Sequence, residues 1–280
     1  MFSDGCRRVP FPIERRLVLD TLSLGRHKPM MHGLLELDVT RARRVLREHA
    51  RNTGERLSFT AFVLACLGRA VAAHPEVHAL RDWFGRVVLF DDVDVATIVE
   101  VDVEGRPFGL AHVVRATNRR TIEEIHREIR SVQAAGVRSV SRGRRLAMQV
   151  VLRVPSILRR LVYRSLLRFP SFAKRQTGTV LLSAVGMFGS GAGWGFSAPG
   201  IHNLSIVVGG IASRAVLREG VPESHEFLCL TVSADHELID GAPLSRFMRD
   251  FGGLIERADG LLEGVEMHHE PLSAVRAALG

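Results

Sequence analysis

Two periods of apolar residues divide this chain into predicted strands and helices. Alternation with a period of two marks residues 226–234 as a strand, and β-rich or continuous apolar runs predict further strands at 31–39, 86–103, 108–115, 178–183 and 204–213. Apolar positions three and four apart, typical of helices, mark residues 14–22, 40–46, 59–73, 121–129 and 244–255. The near-continuous apolar stretch 59–73 predicts a deeply buried helix.

Polar residues at the borders of these segments predict where helices begin and end. Thr40, Ser58 and Thr121 are each predicted N-caps, and Glu124 completes a capping-box sequence with Thr121. The dipeptide His74-Pro75 is predicted to end the buried helix.

One junction of strand and helix carries candidate chemistry. The strand 226–234 leads into Asp235-His-Glu-Leu-Ile-Asp-Gly-Ala242, and the helical stretch 244–255 follows. His236 therefore leaves a rigid strand end, from which its side chain can point into a cleft. Asp240 and Gly241 stand where a helix begins, and a side-chain acceptor and a permissive backbone are favoured there.

His236 is a candidate general base, because histidine is the side chain that titrates closest to neutral pH. The alternative is a buried histidine whose ring bonds a backbone carbonyl, the commoner role of a single histidine on a strand. The spacing His-x-x-x-Asp-Gly at a strand-to-helix junction favours the catalytic interpretation.

Length and composition restrict the class of protein. The 280 residues fit one large domain or two small ones, and 46% apolar with 24% charged residues suffices for a packed core. We expect a single catalytic domain over residues 1–280, with residues 1–12 and 261–280 peripheral. We expect no signal peptide and no membrane-spanning helix, since no long uncharged apolar run is present.

Charge and cysteines narrow the environment further. The net charge of +8 comes from arginine, because Lys28 and Lys174 are the only lysines. The arginines are spread along the chain without a nucleic-acid-binding motif, so we expect no nucleic-acid partner but a phosphate-rich cofactor or an acidic protein. Cys66 and Cys229 lie in apolar patterns, whereas Cys6 does not. Cys66 and Cys229 are therefore predicted to be buried thiols and not disulfides or metal ligands. A reducing, cytoplasmic location is expected.

Residues 144–176 form an arginine-rich segment. Arg160, Arg164 and Arg168 are four residues apart and share one face of a helix between two prolines. The other faces carry apolar residues, namely Leu158, Leu161, Val162 and Leu166. We expect an amphipathic helix packed on the protein with its arginines in solvent. The alternatives are that this segment makes peripheral contact with anionic lipid, with an acidic partner or with cofactor phosphates.

Two motifs resemble a known family. Asp235-His-Glu-Leu-Ile-Asp-Gly-Ala242 is similar to D-H-R-x-x-D-G-A, and Gly178-Thr-Val-Leu-Leu-Ser-Ala-Val-Gly-Met-Phe-Gly189 is similar to G-T-F-T-I-S-N-L-G-M-F-G. Both are motifs of the catalytic core of dihydrolipoamide acyltransferases, the E2 subunits of 2-oxoacid dehydrogenase complexes, which share a fold superfamily with chloramphenicol acetyltransferase. The resemblance covers about residues 12–260. It implies an α/β fold, an α+β two-layer sandwich with a chloramphenicol acetyltransferase-like mixed sheet covered by helices.

The resemblance also implies acyl transfer between coenzyme A and a thiol such as dihydrolipoamide. His236 would take the thiol proton, the thiolate would attack an acyl thioester, and the Ser183 hydroxyl would donate to the oxyanion. Asp240 aligns with a carboxylate that holds the loop, usually through an arginine, for which Arg15 or Arg16 is the candidate. No metal is expected.

In the family the site lies between subunits of a homotrimer, and trimers build larger cubic or dodecahedral cages. We expect no lipoyl domain and no peripheral-subunit-binding domain in this sequence, so a lipoyl group would come from a separate carrier protein. Three departures are Glu237 in place of arginine, Ala184 in place of a small polar residue, and the long segment 144–176. The alternatives are an acyltransferase for a small hydroxyl or amine acceptor, and a catalytically weak scaffold that self-assembles.

Overall fold

The computed structural model of the protein describes residues 6–7, 9–12, 15–103, 105–139, 142–186 and 191–261. Its helices are α1 (Arg15–Gly25), α2 (Thr40–Thr53), α3 (Phe59–Ala73), α4 (Ile122–Ala135), α5 (Arg142–Arg153), α6 (Ser156–Leu166), α7 (Pro170–Thr177) and α8 (Gly241–Glu256). Its strands are β1 (Met30–Asp38), β2 (Leu80–Arg81), β3 (Val87–Val88), β4 (Val95–Val103), β5 (Arg106–Val114), β6 (Val180–Ala184), β7 (Leu204–Arg218) and β8 (Val221–Asp235). The strand predicted over 86–103 is thus divided into the short β3 and the long β4.

A mixed six-stranded sheet lies at the centre, in the order β1-β8-β7-β6-β4-β5. β6 runs parallel to both of its neighbours, β4 and β7, and the other pairs are antiparallel. β2 and β3 form a separate two-stranded sheet. The α/β class with a mixed sheet and covering helices is therefore confirmed.

One face of the sheet packs on helices. Alternate residues of β6, β7 and β8 join α3 and α8 in a single hydrophobic cluster, whose sheet members include Val180, Leu182, Leu204, Ile206, Leu228, Leu230 and Val232. α3 is buried from Ala61 to Val71 except at Arg69, as its apolar sequence predicts. A slip of one residue would turn each buried strand side chain to the other face, so this cluster fixes the strand register.

The segment 191–203 covers part of the opposite face of β7. The backbone N–H of Gly210 donates to the carbonyl of Gly193 at 2.9 Å. A Cβ atom at Gly209 would lie 2.2 Å from that same carbonyl oxygen. Glycine is needed because the two backbones touch at an irregularity in the β7–β8 pairing. The close contact fixes the path of the chain after β6.

Two of the three predicted caps are confirmed. Ser58 Oγ accepts a hydrogen bond at 3.4 Å from the backbone N–H three residues on, and Thr121 and Glu124 form a complete capping box. The prediction for Thr40 is wrong, because Thr40 is the first residue of α2 and donates its own N–H to Asp38 Oδ1 at 3.0 Å. Threonine and aspartate both suit a cap, and here the aspartate two positions earlier accepts the bond.

The orientation of α6 differs from the one expected for the segment 144–176. Arg159 is 5% exposed and donates to Asp20 of α1, which is 1% exposed. The exposed fractions are 82, 51, 61 and 48% for the apolar residues Ile157, Leu158, Leu161 and Val162. The prediction that the leucines pack on the protein is therefore wrong. Of the three arginines predicted to lie in solvent, Arg164 is exposed, and Arg160 and Arg168 are partly buried. None of the described helices is long and apolar enough to cross a membrane.

Candidate active site

Backbone hydrogen bonds hold the end of β8, where His236 lies. The N–H of His236 donates to the carbonyl of Pro29 at 2.8 Å, and the N–H of Asp235 donates to the carbonyl of Asn203 at 2.8 Å. The Asp235 carboxylate accepts the N–H of Glu237 at 3.1 Å. The strand end is thus tied to the beginnings of β1 and β7, so the backbone of His236 is fixed.

Lys28 joins the same three chain segments through its side chain. Its Nζ donates to the carbonyls of Ile201 and His202 at 3.2 and 3.1 Å and to the side chain of Asn203, and it lies 3.4 Å from Asp235 Oδ2. Burial lowers the pKa of the Lys28 ammonium, and the Asp235 carboxylate partly offsets this effect. Sequence reasoning gave Lys28 no role. The sequence did contain one clue, namely that lysine is scarce in this arginine-rich chain. A lysine ammonium can satisfy several acceptors around one point, and a planar guanidinium cannot.

Asp240 faces the candidate base. Its Oδ1 lies 3.6 Å from Nδ1 of His236, and the two side chains are 86% and 49% exposed. Asp240 is the N-cap residue of α8, but its side chain makes no capping hydrogen bond, so its predicted role as a side-chain acceptor is wrong. Among the described residues, neither Arg15 nor Arg16 forms an ion pair with it. The distance of 3.6 Å exceeds hydrogen-bond length, and both side chains are open to solvent, so this is a weak ion-pair contact.

Glu237 takes part in an ion pair with β2. Its Oε2 lies 3.7 Å from Nη2 of Arg81, and both side chains are about half exposed, so the pair contributes little to stability. The glutamate stands where the resembling motif has an arginine. A positive charge is therefore supplied beside His236 from another strand, a role for Arg81 that no local pattern predicted.

Ser183 lies on β6, on the face of the sheet opposite the helices. Its neighbours Val180 and Leu182 belong to the hydrophobic cluster, and alternation turns Ser183 the other way. Within the described part of the chain its hydroxyl makes no hydrogen bond. Among the described residues, no backbone group satisfies this hydroxyl, which was the structural alternative for the serine.

His236 and Ser183 are far apart within one chain. Ser183 pairs with Val207, and Val207 pairs with Thr231, so two strand spacings of roughly 10 Å in total separate Ser183 from Thr231. His236 follows Thr231 by five residues, roughly 17 Å along the strand direction, which places the two α-carbons roughly 19 Å apart. A general base and an oxyanion donor each need to come within about 3 Å of the reacting atoms. A single chain does not bring both to one substrate.

A cavity of 680 Å³ opens beside the end of β8, between α1, α6 and the beginnings of β6 and β7. Asp235 and Glu237, which flank His236, both line it. His202 also lines it, and its Nε2 lies 2.8 Å from the Thr177 carbonyl oxygen. Burial, with a smaller effect of Lys28, lowers the pKa of His202 to about 4, so this imidazole is neutral at physiological pH and donates to that carbonyl.

Cys66 and Cys229 are buried free thiols, as predicted, and Cys6 is exposed. Burial raises the pKa of the Cys66 thiol, which makes it a poor nucleophile. In the ranges that the structure describes, no three His, Cys, Asp or Glu side chains are grouped as a metal site. Residues 187–190, which include the end of the predicted Gly178–Gly189 motif, lie outside the described residues.

The mixed sheet covered by helices, with a histidine at a fixed strand end, is the architecture expected of an α/β acyltransferase core. The sequence matches the family model for the catalytic domain of the 2-oxoacid dehydrogenases acyltransferase over residues 4–140 and 160–263. The chain belongs to this family and is an acyltransferase of the E2 type. The unmatched residues 141–159 comprise α5 and the beginning of α6.

Solved structures of such cores have the same fold. A probable dihydrolipoamide acetyltransferase from Listeria monocytogenes 4b F2365 superposes with a TM-score of 0.68 and 16% identity, over 91% of this chain and 97% of the other. The dihydrolipoamide acetyltransferase of Azotobacter vinelandii gives 0.68 and 15% identity, over 92% and 94%. The cubic core of a pyruvate dehydrogenase multienzyme complex gives 0.67 and 15% identity, over 92% and 94%. A comparison with curated proteins gave no match.

Proposed function

We propose that this protein moves an acyl group between coenzyme A and a thiol of the dihydrolipoamide type. The observation that carries the proposal is His236 at the fixed end of β8 together with the unbonded Ser183 on β6. In the Azotobacter vinelandii enzyme a serine, a histidine and an asparagine were investigated for roles in catalysis, with the serine 52 positions before the histidine and the asparagine four after it. Here Ser183 precedes His236 by 53 positions and Asp240 follows by four.

The reaction is a thiol exchange at a thioester carbonyl. His236 takes the proton of the incoming thiol, and the thiolate attacks the acyl carbon to form a tetrahedral adduct. The Ser183 hydroxyl donates a hydrogen bond to the oxyanion of that adduct. The adduct collapses by breaking the bond to the original sulfur, and the leaving thiolate takes the proton from the imidazolium. No atom is gained or lost, and no metal or redox cofactor takes part in these steps.

Asp240 has a positioning role in this proposal. The imidazole becomes positive when it accepts the thiol proton, and a carboxylate 3.6 Å from Nδ1 stabilises that positive form. The Azotobacter vinelandii enzyme has asparagine at the same spacing. Because an amide bears no charge, the aspartate gives this chain a stronger electrostatic effect on its histidine.

The active unit is an oligomer, and the trimer expected from the family resemblance is the form proposed. The separation of roughly 19 Å between the two α-carbons requires Ser183 from one subunit and His236 from its partner. The likeness to the cubic core of a pyruvate dehydrogenase complex supports a larger cage built from such units. The acyl group would arrive on a separate lipoyl carrier protein.

The test is acyl transfer from acetyl-coenzyme A to dihydrolipoamide by the purified chain. His236→Ala is expected to abolish turnover while the oligomer persists, and Ser183→Ala to lower kcat by about 10²–10³-fold with little change in KM. Ser224→Ala, an exposed serine on the β7–β8 hairpin, is the matched control and should keep wild-type activity. Wild-type chain that assembles but shows no transfer to dihydrolipoamide would exclude the proposal and leave a scaffold.

A further inference from the structure

The cavity beside His236 is rich in positive charge. Five basic side chains and two carboxylates are among the residues that line it. The basic residues are Lys28, Arg81, Arg160, Arg164 and Arg168, and the acidic ones are Asp235 and Glu237. A concave surface whose charges are mostly positive concentrates a positive electrostatic potential. The cavity is therefore expected to attract anions.

Arg164 and Arg168 are the basic residues that stay available for a ligand. Lys28 is paired with Asp235 at 3.4 Å, and Arg81 with Glu237 at 3.7 Å. Arg160 is paired with the buried Asp20 of α1 at 3.0 Å. Within the described ranges, Arg164 and Arg168 have no acidic partner.

The two arginines act on one part of the cavity. Both line the cavity, Arg164 from the last turn of α6 and Arg168 from the turn that follows Leu166. A guanidinium presents parallel N–H donors that match two oxygens of a phosphate, which makes two adjacent arginines a phosphate site.

We infer that Arg164 and Arg168 bind the phosphate groups of a phosphorylated thiol substrate. The source is either a free nucleotide thiol such as coenzyme A or a phosphopantetheinyl arm on a carrier protein. This inference rests on the proposed function, because the cavity reaches Asp235 and Glu237 on either side of His236. His236 itself does not line the cavity, so the thiol arm of a ligand held at α6 would reach the base past Asp235 and Glu237 at the end of β8.

The same geometry separates the two thiols of the reaction. Dihydrolipoamide has no phosphate and gains nothing from the arginines, so the cavity selects the phosphorylated thiol. The exposed apolar residue Ile157 lines the same cavity as the arginines, so a vesicle-binding measurement is needed to separate a lipid headgroup from a soluble phosphate.

Calorimetric titration of the full chain tests the inference with three thiols, namely coenzyme A, phosphopantetheine and pantetheine, which lacks phosphate. The variant Arg164→Ala/Arg168→Ala is expected to bind coenzyme A about tenfold or more weakly, with pantetheine affinity unchanged. Arg41→Ala/Arg44→Ala removes the same charge from two exposed residues of α2 and should bind coenzyme A as the wild type does. Phosphopantetheine as tight as coenzyme A identifies a carrier-borne arm as sufficient, and tighter coenzyme A identifies the nucleotide. Both results support the phosphate site.

Three results would overturn the inference. These are unchanged coenzyme A affinity in Arg164→Ala/Arg168→Ala, an equal loss in Arg41→Ala/Arg44→Ala, or a loss seen only for binding to vesicles of anionic phospholipid. Turnover separates it from the proposed function. If the wild type transfers acyl groups and KM for coenzyme A is the same in Arg164→Ala/Arg168→Ala, the phosphate site is wrong and the transferase stands. If no transfer occurs but coenzyme A binding depends on the two arginines, the transferase is wrong and the phosphate site stands.

Discussion

At the residue scale, His78 shows how burial alone can make stability depend on pH. The side chain is fully buried beside β6, with Nδ1 2.8 Å from Thr179 Oγ1. Burial lowers the pKa of His78 to about 4, although an interaction with the backbone of Phe90 partly offsets this effect. The folded protein therefore holds this imidazole neutral where an unfolded chain would protonate it.

We expect the free energy of unfolding to decrease as pH falls from about 6.5 to about 4. Over that range the unfolded chain binds a proton at His78 that the folded chain does not, so acid favours unfolding. Above it the contribution is fully present. The difference in pKa corresponds to about 3 kcal/mol for a buried histidine.

Urea unfolding at several pH values across that range measures the effect. His78→Gln keeps a partner for Thr179 but does not titrate, so it should lose up to about 3 kcal/mol of the pH dependence. His202, whose pKa is also lowered to about 4, remains in that variant and keeps a part of the slope. His27→Gln, at an exposed position, should behave as the wild type does. Identical slopes for His78→Gln and wild type would show that His78 is protonated in the folded state.

Sequence reasoning at this scale succeeded where a role depends on neighbours in the chain. The capping box at Thr121 and the strand-end position of His236 follow from nearby residues. Lys28 was missed because its partners lie 173–175 positions away. Arg81 was missed for the same reason, since its partner Glu237 belongs to another part of the fold. Local patterns do not contain such pairs.

At the scale of elements, periodicity showed which residues of α6 share a face but not which face is buried. One acidic residue decides the matter. Asp20 lies on α1, far from the segment in sequence, and accepts hydrogen bonds from Arg159 and Arg160. Burial would raise the pKa of its carboxyl, but these two arginines outweigh that effect and hold the pKa below its usual range. The paired carboxylate holds Arg159 in the interior and binds the partly exposed Arg160 beside it.

Removing this carboxylate is therefore expected to release α6 from α1. Asp20→Ala leaves the Arg159 guanidinium buried without an anion and should destabilise the protein by about 3–5 kcal/mol. Asp20→Leu/Arg159→Met replaces the pair with apolar side chains of similar size and should recover most of that loss.

Urea unfolding of the single and double variants measures the two effects. The control is Arg160→Ala, which leaves Arg159 with its partner. Its expected loss of unfolding free energy is below about 1 kcal/mol. If Asp20→Ala cost no more than Arg160→Ala, the buried pair would not anchor α6.

At the scale of the whole molecule, periodicity predicted the elements, and the resemblance of two motifs to a known family predicted how they are arranged. Ser183 lies on β6 and His236 at the end of β8, in the same sheet but at different positions along the strands. The strand register sets these positions, and neither motif contains that information. Sequence alone gave the candidate residues and did not give their separation. That separation, roughly 19 Å between α-carbons, makes the subunit an incomplete enzyme under the proposed mechanism.

A site shared between subunits makes a specific prediction for mixed oligomers. His236→Ala subunits carry an intact Ser183, and Ser183→Ala subunits carry an intact His236, so a site between one of each has both groups. In a closed ring of subunits mixed at random, about a quarter of the sites combine the two intact residues. Co-expressed variants should therefore recover about a quarter of wild-type turnover, well above either variant alone. The control is the two purified variants mixed without subunit exchange, which should give only the sum of their residual activities. If the co-expressed oligomer were no more active than that mixture, both groups would have to act within one chain, and the observed strand register would not permit the proposed chemistry.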